Sequence, residues 1–188
     1  RHGKMDDVDY ALQTFLMHIK NLKLENKIDG MTILELGPGD SASSALIASA
    51  LNCRCILVDT GNFVSKDLNM YFDLREKLID IGLNPPDLSN VSNINDIIKI
   101  CDSEYHTEGI QSLKSIRTDS IDIIFSQAVI EHIRLNIFDK TISELRRILK
   151  PNGNSSHEID LKDHLDSSLN NLRFSKNIWE SDLFSKSG

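Results

Sequence analysis

The residues between Ile33 and Asp59 have the types and the spacing that hold a nucleoside. Thr32 to Leu36 is a short apolar run rich in strand formers, and Gly37-Pro38-Gly39-Asp40-Ser41 follows at once. Ala42 to Leu51 is alanine-rich and small on one face, as suits a helix pressed against a sheet, and Cys55 to Asp59 is a second strand that ends in an acid. Gly37 and Gly39 allow the backbone to turn sharply and to approach a ligand where a Cβ would stand in the way. Asp59 follows the first glycine by roughly 20 residues, the interval at which an acid at the end of the second strand accepts hydrogen bonds from ribose hydroxyls. A plain turn followed by a surface acid is the alternative, and the order strand, loop, helix, strand argues against it.

That spacing leaves two ligand classes open, because Gly37-x-Gly39-x-x-Ala42 also fits the dinucleotide fingerprint. Glu35 distinguishes them by charge. An acid at the exit of the first strand suits a cationic ligand such as S-adenosylmethionine, which carries an ammonium and a sulfonium. It would repel the pyrophosphate of NAD, which helix N-termini otherwise attract. An acid that merely caps a strand end is the plainer reading of the same residue.

These residues resemble the class I S-adenosylmethionine-dependent methyltransferases, and the resemblance runs from Ile33 to Gly153. Glu35-Leu36-Gly37-Pro38-Gly39 is similar to the first motif of that family, and Asp59 to its ribose-binding acid. Ser126-Gln127-Ala128-Val129-Ile130-Glu131-His132 resembles its fourth-strand motif, and Glu144 to Gly153 its helix-to-fifth-strand signature. The resemblance implies that the Gly37-Pro38-Gly39 loop backs the methionine part of the cofactor and that Asp59, with Thr60 beside it, holds the ribose. It further implies that Gly109 and Ile110 lie near the adenine, and that Ser126, Gln127 and Ala128 flank the cofactor near its methyl group. Ser41 stands where many members have a third glycine, and Asn154 lies where a second glycine of the turn is common. A nicotinamide-dependent oxidoreductase and a cofactor-binding module without turnover are the two alternatives that the fold also permits.

Methyl transfer from a sulfonium needs alignment more than charge stabilisation, but a hydroxyl acceptor must lose a proton, and a positioned base helps by roughly 10² to 10⁴. His132 lies just after the fourth strand, beside the expected position of the methyl. His157, Asp160, Asp163 and His164 form a second group on a strand that runs out into a loop, with Glu158, Asp160 and Lys162 on one face and His157, Ile159 and Leu161 on the other. His132, His157 and Asp160 are the candidate catalytic residues, against a local packing role for the first and a solvated strand end for the others. The spacing of the second group matches no metal motif, and no metal is expected.

The elements that must position these residues follow from periodicity. Val8, Leu12, Phe15, Leu16, Ile19 and Leu22 mark an amphipathic helix, Leu68 to Ile81 a second and Ile94 to Cys101 a short third. Glu104 to Thr107 makes a brief third strand closed by Gly109, and Ile121 to Ser126 a fourth, apolar enough for burial on both faces. Phe138 to Leu149 is an amphipathic helix stopped by Pro151 and Gly153, and Ser156 to Leu161 is a fifth strand. The alternation predicts a doubly wound α/β fold with a mostly parallel sheet and helices on both faces, a Rossmann-like methyltransferase core. All 188 residues form one domain: an N-terminal helix over 1–30, a nucleotide-binding core over 31–161 and a C-terminal segment over 162–188, where Phe174, Trp179 and Phe184 serve packing. The start at Arg1 and the stop at Gly188 predict a fragment lacking the last two strands of the family sheet.

Composition narrows the partners. The 28 acidic and 21 basic residues give a net charge of -7 with no basic stripe, so nucleic acid is disfavoured and a small hydroxylated molecule is the expected substrate. Apolar stretches such as Ala45 to Leu51 fall far short of the roughly 20 residues of a membrane helix. Cys53 and Cys55 are two apart on a strand, where alternation separates them from a shared zinc or disulfide geometry, and they are expected as buried thiols in a reducing cytoplasm. Asp6, Asp7 and Asp9 occupy the place of a signal-peptide apolar region. Oligomeric state is not written in the sequence.

Overall fold

Apolar residues in adjacent strand positions enter two different cores on opposite sides of a single sheet. The computed structural model describes residues 7–162, 169, 173–179 and 181. Its strands are β1 (Thr32–Leu36), β2 (Arg54–Val58), β3 (Glu104–His106), β4 (Ile121–Gln127) and β5 (Leu149–Glu158). All four pairings are parallel, in the order β3-β2-β1-β4-β5. Ile33, Cys55, Leu57, Ile123 and Phe125 face one core, and Leu34, Leu36, Ile56, Val58 and Ile124 face the other. Burial on both faces is why these strands are nearly continuous apolar runs.

The first core is covered by α1 (Val8–Asn21), α2 (Ser43–Ala50), α3 (Asn69–Asp80) and α4 (Ile94–Ile100). Asp7 caps α1 by accepting from the Tyr10 N–H at 2.9 Å, an interaction worth about 1 kcal/mol. Ala11, Leu12, Phe15 and Ile19 form its buried stripe, and His18 is buried on the same side. α2 is buried along Ser43 to Ala48, each of its Leu and Ile side chains contributing roughly 1.5–3 kcal/mol. The second core is closed by α5 (Ile110–Ser115) and α6 (Leu135–Ile148). A single turn, α7 (Lys176–Trp179), follows further along the chain.

Several boundaries differ from the expectations. α5 went unforeseen, because six residues with only Ser112 and Leu113 buried show no readable period. α6 begins at Leu135 rather than Phe138, since Leu135 and Ile137 point to solvent and add nothing to the apolar face. β5 is not Ser156 to Leu161: it starts directly at Leu149, contains Pro151 and Gly153, and ends at Glu158. Pro151 and Gly153 are tolerated because β5 lies at the sheet edge and bulges there, Ile121 pairing with Leu149 but Ile123 with Asn154. A Cβ on Gly153 would come within 3.0 Å of the Asp122 carbonyl oxygen. Asp160 therefore lies past the strand and shares no strand face with Glu158.

Cys53 and Cys55 are not separated by alternation. Residues two apart share a face, and Cys53, Cys55 and Cys101 all enter the first core. Burial pushes the Cys53 thiol up to about 11 and that of Cys101 to about 12, so they behave as inert apolar groups. At the amino edge of the sheet, Asp122 accepts from the Thr32 N–H at 3.0 Å and from Lys150 Nζ at 2.7 and 2.8 Å, tying β1, β4 and β5 together. No helix among the described residues is long and apolar enough to cross a membrane.

Candidate cofactor and active site

Between β1 and β4 the chain connections leave in opposite directions, and the carboxyl edge of the sheet opens there, the place where open α/β sheets take ligands. β1 runs straight into the glycine loop. The Gly37 N–H donates to the Val58 carbonyl at 2.8 Å, and Gly37 has φ +73°. A Cβ here would lie 2.5 Å from Val129 Cγ2, so this glycine is required both by its backbone conformation and by a side chain arriving from the segment after β4. Pro38 is buried. Gly39 has φ +66° and no atom within 4 Å of a Cβ position, an open cradle beside bare backbone.

Asp59 stands at the end of β2 and reaches across to this loop. Its Oδ2 accepts from the Gly39 N–H at 3.1 Å and its Oδ1 from the Thr60 N–H at 2.6 Å. A carboxylate has about four lone-pair sites, so acceptor capacity is left for hydroxyls. The Asp59 carbonyl accepts from the Gly109 N–H at 2.7 Å, and Gly109, with φ +54° and ψ -124°, sits where a Cβ would be 3.2 Å from Thr60 Cγ2. Ile110 then starts α5. Gly37, Gly39, Asp59, Thr60, Gly109 and Ile110 are thus brought to one edge of the sheet.

Glu35 is placed differently from its expected position. It is the fourth residue of β1 rather than its exit, 1% exposed, with its side chain on the α2 side. Burial pushes its carboxyl up to about 8, the Ser44 hydroxyl opposing and the Asp59 charge adding to the rise. Among the described residues, Glu35 Oε2 has no hydrogen-bond partner, and neither has the Ser43 hydroxyl. At neutral pH the side chain is therefore protonated in the free domain and does not repel a diphosphate. Glu35 alone does not distinguish the two ligand classes. An unsatisfied buried carboxyl beside the glycine loop nevertheless suits a ligand that brings positive charge, which would draw the proton off.

The β4 side is polar. Ser126 is fully buried, and its hydroxyl lies 2.8 Å from His157 Nδ1 across the β4–β5 pairing, so its side chain does not face the opening. His157 is pushed down by burial and by nearby His18. Gln127 points to the opposite face, towards α1. Ala128 is exposed with φ +51°, a left-handed conformation that costs a residue with a Cβ roughly 1–2 kcal/mol. Val129 then lies over Gly37. His132 closes a short 3-10 turn, Ile130–His132, and is exposed. Its neighbour Glu131 accepts from the Asp160 N–H at 3.0 Å, and Asp160 Oδ1 accepts from the Lys162 N–H at 2.9 Å. The structure therefore links the His132 turn to Asp160, while His157 stands on the α5–α6 side with Ser126. Asp163, His164 and Phe184 lie outside the described residues.

Three residues have roles that the sequence did not reveal. Val129 fixes the glycine loop, and only the β1–β4 adjacency could have revealed it. Phe63, exposed in the loop after β2, rests over Gly61, the Tyr105 hydroxyl donating to the Gly61 carbonyl at 3.0 Å and accepting from the Phe63 N–H at 3.2 Å. His18 is the third; as a polar residue in an apolar stripe it was visible, but its partners were not.

Residues 34–155 match the model of the methyltransferase domain, so the chain belongs to that family. Within it, the chain is of the class I kind, whose cofactor is S-adenosylmethionine. Among solved structures, the chain resembles the PH0226 protein from Pyrococcus horikoshii OT3 at 17% identity and a TM-score of 0.48, covering 83% of this chain and 57% of that one. It also resembles phosphoethanolamine N-methyltransferase 2 of Haemonchus contortus, in complex with phosphomonomethylethanolamine and S-adenosylhomocysteine, at 19% identity and a TM-score of 0.46, covering 89% of this chain and 32% of that one. The chain thus spans less than two thirds of the length of either. No curated protein matches it in sequence.

Proposed function

We propose that this domain binds S-adenosylmethionine at the carboxyl edge of β1 and β2 and transfers its methyl group to a hydroxyl oxygen of a small molecule. The observation that carries the reading is the joined cradle of Gly39, Asp59 and Gly109: bare backbone at positive φ, closed by a carboxylate with acceptor capacity to spare. Gly37, Pro38 and Gly39 would back the amino-acid part, Asp59 and Thr60 the ribose, and Gly109 and Ile110 the base. The cofactor supplies a methyl carbon activated by positive sulfur, which leaves as a neutral thioether.

The chain's own residues then have two tasks. The Ala128–Val129 turn, with Val129 seated on Gly37, holds the glycine loop in place where donor and acceptor must align. A base must take the proton from the acceptor hydroxyl, and His132 and His157 are the candidates. Burial keeps His157 neutral at physiological pH, ready to accept a proton, although its Nδ1 is engaged with Ser126. His132 is exposed on the turn after β4 and is the better placed of the two. Asp160 serves by holding the His132 turn through Glu131 rather than as a base. The net charge of -7 supports a small acceptor rather than a nucleic acid.

Calorimetry with S-adenosylmethionine and with NAD, followed by mass-spectrometric detection of S-adenosylhomocysteine over panels of hydroxylated and amine acceptors, tests this. Binding of the sulfonium cofactor with turnover on hydroxylated acceptors is expected. Turnover on amines alone would overturn the oxygen assignment, and binding of NAD alone would overturn the function.

A further inference from the structure

The buried polar residue on α1 lies where the chemistry of β4 ends. His18 is fully buried in the stripe that covers the first core, its ring centroid 4.9 Å from that of Phe125. Its Nδ1 is 2.8 Å from Ser156 Oγ on β5, and its Nε2 is 3.2 Å from Gln127 Oε1, the last side chain of β4. Burial lowers its pKa, with Gln127 and the Glu158 charge only partly opposing, so the ring is neutral.

A neutral imidazole has one donor and one acceptor. The Gln127 oxygen can only accept, so Nε2 carries the proton and Nδ1 accepts from the Ser156 hydroxyl. The relay Ser156 to His18 to Gln127 therefore has one direction. It uses up the Gln127 oxygen, and the two N–H donors of the Gln127 amide have no partner among the described residues. In the chain, Gln127 is followed at once by Ala128 and by Val129, whose side chain packs on Gly37.

We propose that His18 is a positioning residue: by donating to Gln127 Oε1, with Ser156 fixing its tautomer, it turns the Gln127 amide so that the N–H donors face an oxygen of the bound cofactor. The inference rests on the methyltransferase reading above. It gives a helix that otherwise covers the core a share in ligand binding, and it explains why an apolar stripe keeps a histidine.

The test uses the whole chain with S-adenosylmethionine and S-adenosylhomocysteine as probes. His18→Leu removes the donor and should weaken cofactor affinity roughly 3- to 10-fold, the loss of about one hydrogen bond. His18→Gln restores an amide donor near the Nε2 position and should stay within about 2-fold of the wild type. In a Gln127→Ala background, His18→Leu should have no further effect on affinity. Nitrogen-15 shifts of His18 should report the Nε2–H tautomer, becoming mixed in Ser156→Ala. An Nδ1–H tautomer in the wild type, or His18→Leu lowering the melting temperature without changing affinity, would overturn the proposal while leaving the methyltransferase reading intact. So would equal weakening with and without Gln127. A wild-type chain that binds neither probe would overturn the function and this inference together.

Discussion

Around β1 and β2, the carboxyl edge is backbone held in place by apolar packing: Gly37 and Gly39 at positive φ, Val129 over the first of them, and Asp59 bonded to main-chain N–H groups. Around β4 and β5, it is side chains bonded to side chains: Ser126 with His157 on one face, Gln127 and Ser156 with His18 on the other. The first region is flanked by strands on both sides, whereas among the described residues β5 pairs only with β4. Backbone geometry suits the parts of a ligand that do not change in a reaction. Polar side chains, which can exchange protons and reorient, suit the part that does.

The contrast predicts a graded series of effects. Gly37→Ala attacks the backbone side where it is least able to yield, combining strained φ with a Cβ 2.5 Å from Val129. It should cost roughly 2–4 kcal/mol in stability and abolish cofactor binding, read by thermal melting and calorimetry. Adding Val129→Ala should recover part of the stability but not the strain at φ +73°. Asp59→Ala introduces no strain or clash but removes a charged acceptor together with its bond to the Gly39 N–H, and should weaken S-adenosylmethionine about 10- to 100-fold in the same assay.

Glu35→Gln sharpens the comparison through pH. In the folded domain this carboxyl holds its proton up to about 8, against an ordinary 4.5. Its contribution to stability is therefore fully present below pH 4.5 and is lost as pH rises towards 8; the glutamine variant should lack that decline in melting temperature. A cationic ligand favours the ionised form, so wild-type affinity for S-adenosylmethionine should rise by up to about tenfold per pH unit between pH 6 and 8, with proton release measured in buffers of different ionisation heat. The variant should be flat.

The smallest effect is expected on the β4 side. Ala128→Gly relieves a left-handed φ of +51° at the cost of a more flexible unfolded chain, a net change of about 0.5–1 kcal/mol in either direction by denaturant titration. A larger effect there than at Gly37 would reverse the comparison.

The sequence carried the first region well and the second poorly, for a physical reason. β1 matches its expected limits, and β2 is displaced by one residue, because an apolar run bounded by glycine or ending in acid is a local signal. The Gly39–Asp59 contact could be inferred from spacing, since both residues belong to one strand-loop-helix-strand unit. β5 carries little apolar content, and its bulge at Lys150 to Gly153 looks like a helix stop followed by a loop. His18 meets Gln127 and Ser156 only because α1 lies over the far end of the sheet, separations of 109 and 138 residues. Local periodicity says nothing about such pairs. Glu35 was legible as a residue of interest but not in its protonation, which depends on how deeply α2 covers it.

Asp122 works at the opposite end of the sheet from all of this. By holding the first N–H of β1 and the Lys150 ammonium at once, it decides which residue of each strand stands opposite which. Strand side chains alternate with a period of two, so sliding β4 by a single place would exchange Ser126 and Gln127 between faces and deprive His18 of its amide. A carboxylate at the amino edge of the sheet thus acts as the ruler from which the reactive edge is measured.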